Sequence, residues 1–404
     1  MSGKWPGGII SKTAPTVTGG ESGSASGIWT LDQVANYVKQ GLWPEPVLPK
    51  ALWMWGTNNK GQLGDGTIVD KSSPIQVGAL TDWAATANVD LSTTGFKQDG
   101  TLWAWGENNY GQLGQGNTTL YSSPVQIGAL TDWGAPAGGY RQFFSIKTDG
   151  TLWAWGYGGK GQLGLGDTLN RSSPVQVGAL TTWAKIGCGY NNTVAVKTDG
   201  TLWTWGANNT GELGHGNTTT YSSPVQVGAL TDWSFPAGAG GNNDSFSMCI
   251  KTDGTLWVMG VNDKGQLAQG NTTNYSSPVQ VGALTDWATV SGGDGQQLAL
   301  KTDGTIWTWG SGSFGKLGHG NTTNLSSPVQ VGALTTWSKM SASKHSSFGI
   351  TTSNTLFVWG YNAGGQLGLG NTTNYSSPVQ LGALATWKVL MGDSSQAEAI
   401  AGLK

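Results

Sequence analysis

Apolar and polar residues alternate along this chain in short runs broken by glycine-rich turns, the pattern of β-strands. Thr193-Val-Ala-Val-Lys197 alternates, Asp199-Gly200 follows, and Thr201-Leu-Trp-Thr-Trp205 alternates again. Asp-Gly between two such runs is the strongest short-range hairpin signal, because the turn it favours places both central residues at positive φ. The pair recurs at Asp99, Asp149, Asp253 and Asp303. In the run beginning at Leu102, Trp103 and Trp105 point to one sheet face and Leu102 and Ala104 to the other. Both faces are apolar, so each small sheet is enclosed on both sides. Pro124-Val-Gln-Ile-Gly128 reads as an outer strand, since a proline at its start cannot donate to a ladder. Trp183-Ala-Lys-Ile-Gly-Cys-Gly supplies a fourth strand of small residues.

These runs repeat. Leu-Trp-x-Trp-Gly, with small changes, begins at Leu52, Leu102, Leu152, Leu202, Leu256, Ile306 and Leu356. Ser-Ser-Pro places its prolines at Pro74, Pro124, Pro174, Pro224, Pro278, Pro328 and Pro378. The tryptophan that ends Gly-Ala-Leu-x-x-Trp falls at Trp83, Trp133, Trp183, Trp233, Trp287, Trp337 and Trp387. The spacing is 50 residues throughout except for one of 54, whose extra residues lie within 237–244. In the seventh unit Asn354 takes the place of aspartate and the glycine is missing, which predicts a less regular turn.

Seven units of four short strands, apolar on both faces, predict radial stacking into a seven-bladed β-propeller. An open solenoid needs polar capping units at its ends. Counting 14 residues from Trp387 puts Ala401 at the lysine of Lys-Thr-Asp-Gly and Lys404 at its glycine. Ala51 stands at the threonine that follows. The C-terminal strand thus lacks the partner that Leu52–Gly56 can supply, and one sheet is expected to be built from both ends of the chain.

Leu102–Gly116, LWAWGENNYGQLGQG, joins Leu-Trp-x-Trp to Gly-x-Asn-x-x-Gly-Gln-Leu-Gly-x-Gly. It resembles the repeat of the regulator of chromosome condensation family, and the resemblance runs through all seven units. It implies an all-β seven-bladed propeller closed by its termini. That family includes a nucleotide exchange factor and a bacterial propeller that inhibits β-lactamases, so the resemblance leaves function open.

The chain divides into an arm with a short helix, 1–50, and the propeller, 51–404. Residues 1–27 are rich in Gly, Ser, Thr and Pro and read as extended. A helix opens at Thr30, where Thr30 and Gln33 form a capping box and Trp29 with Val34 a hydrophobic staple. Leu31, Val34, Ala35 and Val38 share one face, and Gly41 ends the helix. Alone, a helix of about 11 residues is marginal, so it is expected to dock on its own propeller or on a partner. Residues 24–44, SASGIWTLDQVANYVKQGLWP, are similar to N-terminal segments of structural and tail-fibre-like proteins of marine bacteriophages. This second resemblance implies attachment to a virus particle, with Trp29, Leu31, Val34 and Val38 as the contact face.

Charged residues are 11% of the chain and the net charge is -2, which argues against a nucleic-acid binder working through phosphate neutralisation. It argues equally against a polybasic membrane anchor. No apolar run reaches the ~18 residues of a membrane span, and the start lacks an apolar signal core, so synthesis in a host cytoplasm is expected. Two cysteines, Cys188 and Cys249, exclude a disulfide scaffold and read as small packed residues. His215 and His319 share a slot held elsewhere by Asp65, Gln115, Leu165, Gln269 and Leu369, which reads as a solvated loop position. His345 stands alone. Neither catalysis nor a metal or cofactor is expected.

The variable positions among otherwise similar units carry the site expectation. Seven to nine residues after each unit tryptophan stand Tyr140-Arg141-Gln142, Tyr190-Asn191-Asn192, Asp294-Gly295-Gln296 and Lys344-His345-Ser346, with Asp90-Leu91-Ser92 in the first unit and Asn243 and Asp244 in the inserted segment. They fall between the first two strands and should ring one mouth of the channel as exposed loops. Tyr140, Arg141, Tyr190, Asn191, Asn243, Asp244, Asp294, Lys344 and His345 are the candidate contacts, aromatic and Arg side chains most often dominating contact energy. A second slot before Ser-Ser-Pro gives an outer rim of Tyr121, Tyr221, Tyr275 and Tyr375. The resulting expectation is a bacteriophage virion protein, held to other virion proteins through residues 1–50 and displaying a propeller toward a host surface glycan or protein. The alternative is an intracellular interaction or inhibitor propeller.

Overall fold

The computed structural model describes residues 50–241, 245–383, 386–391 and 399–403. The helix expected at Thr30, with Trp29, Leu31, Val34 and Val38, lies outside them. So do Asn243 and Asp244. The described residues form 28 strands in seven antiparallel sheets of four. Blade 1 comprises Trp83–Val89, Ser92–Lys97, Leu102–Gly106 and Tyr121–Gln126. Blades 2 to 6 repeat this order along the chain. The first strand of each blade meets the first strands of both neighbours, so these strands surround the central axis.

Apolar residues on both faces of the third strand explain the stacking. Leu102 and Ala104 pack with Phe143 and Trp155 of blade 2. Trp105, on the opposite face, packs with Leu52, Met54 and Leu403 of blade 7. A polar clasp accompanies six of the seven apolar contacts. The Trp105 indole N–H donates to the Gln62 carbonyl of the preceding blade at 2.9 Å. Trp155, Trp205, Trp309, Trp359 and Trp55 donate in the same way to the carbonyls of Gln112, Gln162, Gln266, Lys316 and Gln366. In blade 4 Met259 replaces this tryptophan. Close approach also dictates glycine: a Cβ on Gly111 (φ 78) would fall 2.4 Å from the Ser172 Cα of the next blade.

The seam is closed by both ends of the chain. Blade 7 is ordered Lys71–Gln76, Leu52–Gly56, Ala399–Leu403, Val389–Met391. Its register differs from the count made on the sequence. Leu403 pairs with Leu52, as Ile350 pairs with Leu356 in blade 6. The connection before this strand is therefore three residues longer than in blade 6, where Ser341 pairs Phe348 against Met391 with Ala401. Packing selects the register: Gly402 lies under the Trp387 ring, as Gly349 lies under Trp337.

Two turn expectations are corrected. In the Asp-Gly turns only the glycine has positive φ, as at Gly200 (φ 76). Asp199 instead accepts from the Thr201 N–H and hydroxyl, and Thr201 accepts from the Trp203 indole. In the seventh unit Asn354 occupies the glycine position, not the aspartate position. It takes φ 62, and the turn keeps the same backbone hydrogen bonds, Asn354 N–H to the Thr351 carbonyl and Thr351 N–H to the Thr355 carbonyl. Asparagine tolerates this region better than other side chains. The outer strand also begins earlier than expected, at Tyr121, with Pro124 inside it at a bulge between the Gly106–Tyr121 and Ala104–Val125 pairs. A bulge leaves proline no ladder bond to donate.

Candidate functional site

The loops between first and second strands lie at the same end of the ring as the loops that follow the third strands. Antiparallel pairing requires it, and bonds such as Glu107 N–H to the Leu91 carbonyl and Tyr157 N–H to the Arg141 carbonyl tie the two sets together. The described variable residues therefore surround one mouth, where those of blades 1, 2, 3, 5 and 6 gather into two clusters instead of standing as separate loop tips.

The larger cluster is assembled from blades 1, 2 and 3. Tyr140 and Tyr190 stack with ring centroids 4.0 Å apart and planes at 15°. The Arg141 guanidinium lies 4.5 Å from the Tyr140 ring and 4.9 Å from the Tyr110 ring. It ion-pairs with Asp90 at 3.2 Å and Glu107 at 3.6 Å. Tyr110 in turn meets Tyr157 edge to face at 5.1 Å. Tyr190 is only 7% exposed, which corrects the expectation of an exposed loop. Burial pushes the Tyr190 phenol up, helped by its hydrogen bond with Tyr140. Burial opposes the Arg141 charge, but Glu107, Tyr140 and Asp90 more than offset it and raise its pKa. Asn191 Oδ1 is 3.5 Å from Gln162 Nε2 at the edge of this cluster.

The smaller cluster joins blades 5 and 6. His345 Nε2 lies 3.9 Å from Asp294. Burial, then the nearby Lys316 and Lys344, hold the imidazole down to about 3, so it is neutral at pH 7. Lys316, almost fully buried, donates from Nζ to the Asp294 carbonyl at 2.6 Å, and Asp294 N–H donates to the Lys344 carbonyl. Phe314 packs on Tyr361 and His345 with centroids 4.9 and 5.4 Å away, stays 41% exposed, and has φ 62. Glu107, Tyr110, Tyr157, Phe314 and Tyr361 were missed as site residues. The same comparison between units would have found them, because the slots after Leu-Trp-x-Trp-Gly and before Gly-Gln-Leu also vary.

The model of the regulator of chromosome condensation (RCC1) repeat matches residues 51–87, 99–139, 149–196, 199–246, 253–300, 303–350 and 353–391. The chain belongs to the RCC1 repeat family. Solved RCC1-like propellers share its fold. Human WBSCR16 superposes with TM-score 0.78 at 18% identity, covering 88% of this chain and 99% of that one. Prp20p of Saccharomyces cerevisiae, described with its binding properties to Gsp1p and histones, gives 0.76 at 18% identity over 88% and 92%. Yeast RCC1 (Prp20) bound by Kap60 gives 0.75 at 19% over 89% and 90%. No curated protein matches the chain in sequence.

Within each RCC1 repeat the outer-rim tyrosines have a local role. The hydroxyls of Tyr121, Tyr221, Tyr275 and Tyr375 accept from Asn117, Asn217, Asn271 and Asn371 at 3.2–3.4 Å. In blade 7 Lys71 instead pairs with Asp65, and in blade 2 Arg171 pairs with Asp167. The rim slot thus pins its own loop. The histidine slot is likewise only partly solvated. His215 and His319 are half-buried, with Nε2 2.9 and 2.8 Å from the Thr204 and Thr308 hydroxyls, in the two blades where threonine stands mid-strand beneath them. Cys188 and Cys249 are buried free thiols. Among the described residues no group of three His, Cys, Asp or Glu could hold a metal ion, and no helix is long and apolar enough to cross a membrane.

Proposed function

We propose that this RCC1-repeat propeller is a protein-interaction module without catalysis, binding its partner at the mouth that carries the Tyr140–Arg141–Tyr190 and Phe314–His345 clusters. One observation carries the reading: side chains from three blades converge on a pre-organised arginine between tyrosine rings, in a frame whose other positions repeat. Interface hot spots favour Tyr and Arg held rigid at the centre of a patch. The description of Prp20p as a binder of Gsp1p and histones agrees with the general role and names no partner for this chain. The test places a photo-crosslinker at Tyr140 and, separately, at Tyr121 in the full chain. Partner crosslinks from Tyr140, and a Kd for that partner raised at least tenfold by Tyr140→Ser with Phe314→Ser, support the mouth. Crosslinks from Tyr121 alone move the contact to the rim.

A second reading, a bacteriophage virion protein whose residues 1–50 hold it to the particle while the propeller faces a host surface molecule, rests on the sequence of residues 24–44. Mass spectrometry of purified particles decides it. Stoichiometric copies support the reading, and absence from particles removes it.

A further inference from the structure

At the end opposite the mouth the blades share a second side-chain device. The lysine that ends the second strand lies over two indoles and pairs with the aspartate that precedes the unit tryptophan. Lys97 pairs with Asp82, Lys147 with Asp132, Lys251 with Asp232 and Lys301 with Asp286, at 3.2–3.4 Å. Each ammonium sits 4.4–4.6 Å from the third-strand indole. Where the lysine is lost, in blade 6, the aspartate is lost with it: the positions hold Thr351 and Thr336.

Blade 3 alone, among the described residues, keeps the cation without the anion. Lys197 is 7% exposed, while the aspartate position is the exposed Thr182. The Lys197 ammonium is drawn to 3.4 Å from the Trp203 ring, with Trp183 at 5.0 Å. Asp199 acts on Lys197 through its charge but forms no ion pair with it, its carboxylate being engaged by Thr201, as its counterparts are in blades that also keep the pair. Burial lowers the Lys197 pKa and the Asp199 charge only partly offsets it, so the cation is incompletely compensated. An open pocket of about 360 Å³ between blades 3 and 4 reaches Lys197 from the side away from Thr182, lined also by Lys185, Thr198, Asp199, Thr231 and Thr252. Lys185 at its wall is exposed and adds a second cation over the Phe235 ring.

We infer that the Lys197 corner of blade 3 is a carboxylate-binding site, where a carboxylate from outside the chain takes the place that aspartate fills in four other blades. The chemistry fits an acidic side chain of a protein segment or a free carboxylate ion. The site is independent of the mouth and stands whether or not the mouth binds a partner.

The experiment titrates the full chain into fluorescein-labelled hexaglutamate at low salt, reading anisotropy, with acetate as competitor. Two variants target the site. Thr182→Asp supplies the carboxylate internally, and Lys197→Met removes the cation while keeping the apolar stem. Lys97→Met, at a paired lysine, is the control. Hexaglutamate binding weakened at least tenfold by Thr182→Asp and by Lys197→Met, but unchanged by Lys97→Met, supports the site. Displacement by millimolar acetate then assigns it to free carboxylates, and failure of acetate to displace assigns it to acidic segments. If the wild-type chain binds neither probe, or if Thr182→Asp binds hexaglutamate as tightly as wild type, the inference is wrong. Because Thr182 is exposed, that variant remains decisive if Lys197→Met does not fold.

Discussion

Replacing Arg141 with alanine separates a built structure from a loop tip. The guanidinium Nη2 lies 3.2 Å from Asp90, and its Nε lies 3.6 Å from Glu107. Those two carboxylates are only 10% and 6% exposed. Arg141→Ala leaves both without their cation and removes a stacked group from two tyrosine rings. Breaking a buried pair from one side costs ~3–5 kcal/mol. Arg141 keeps 19% of its side chain in water, which screens part of that, and Asn109 still donates to Glu107. The expected loss is therefore about 2–3 kcal/mol, against ~0.5 kcal/mol or less for an ordinary surface change. Urea denaturation of the full chain measures it. If orphaned charge is the cause, Asp90→Asn with Glu107→Gln should recover most of the loss in the Arg141→Ala background. A loss below ~0.5 kcal/mol, or no recovery in the triple variant, refutes the argument.

Deleting Ala399–Lys404 exposes the edge of Leu52–Gly56 and should lead to aggregation. A truncated chain that elutes and melts like the full one would contradict closure. Gly349→Ala should cost ~1–3 kcal/mol and lower Tm, because its Cβ would stand 2.7 Å from the Trp337 ring. Gly228→Ala, at φ 60 in open space, should cost only the backbone strain of about 1–2 kcal/mol. Acid should destabilise the ring through its turns. Hydrogen bonds from Thr151 and Thr255 hold the Asp149 and Asp253 carboxylates below their ordinary pKa. A folded pKa lower than the unfolded one gives stability that is complete above the unfolded value of ~3.9 and is lost as pH falls through the folded value. Tm should thus be flat from pH 7 to 5 and drop below about pH 4. Thr151→Val with Thr255→Val should flatten that drop, and an unchanged slope would assign it to other groups.

Much of the architecture was legible in the sequence because a repeat converts one local pattern into a global one. Leu-Trp-x-Trp-Gly, Ser-Ser-Pro and the unit tryptophan each occur seven times, and a strand apolar on both faces must be covered on both. Seven blades and closure by both termini follow. The slots that vary between units were legible too. Their surroundings were not: Tyr190 and Arg141 read as exposed because loop position says nothing about the neighbouring blade.

What the sequence determined by itself was whatever depends on spacing within one chain segment: strand length, hairpin position, unit count and the need for a closing strand. Only the tertiary structure decided what depends on side-chain contacts between strands and between units. It placed Leu403 opposite Leu52, three residues from the counted register, because Gly402 is the residue that fits beneath Trp387. It brought Asp90, Arg141 and Tyr190, one from each of three blades, into a single cluster. It also showed that Lys197 keeps a tryptophan cage and lacks the carboxylate of its counterparts. The physical reason is the same in each case. Backbone hydrogen bonding and alternation are local and can be read along the chain, whereas steric fit and charge compensation are settled between side chains of different strands, 15 positions apart at Lys97 and Asp82 and 51 apart at Asp90 and Arg141.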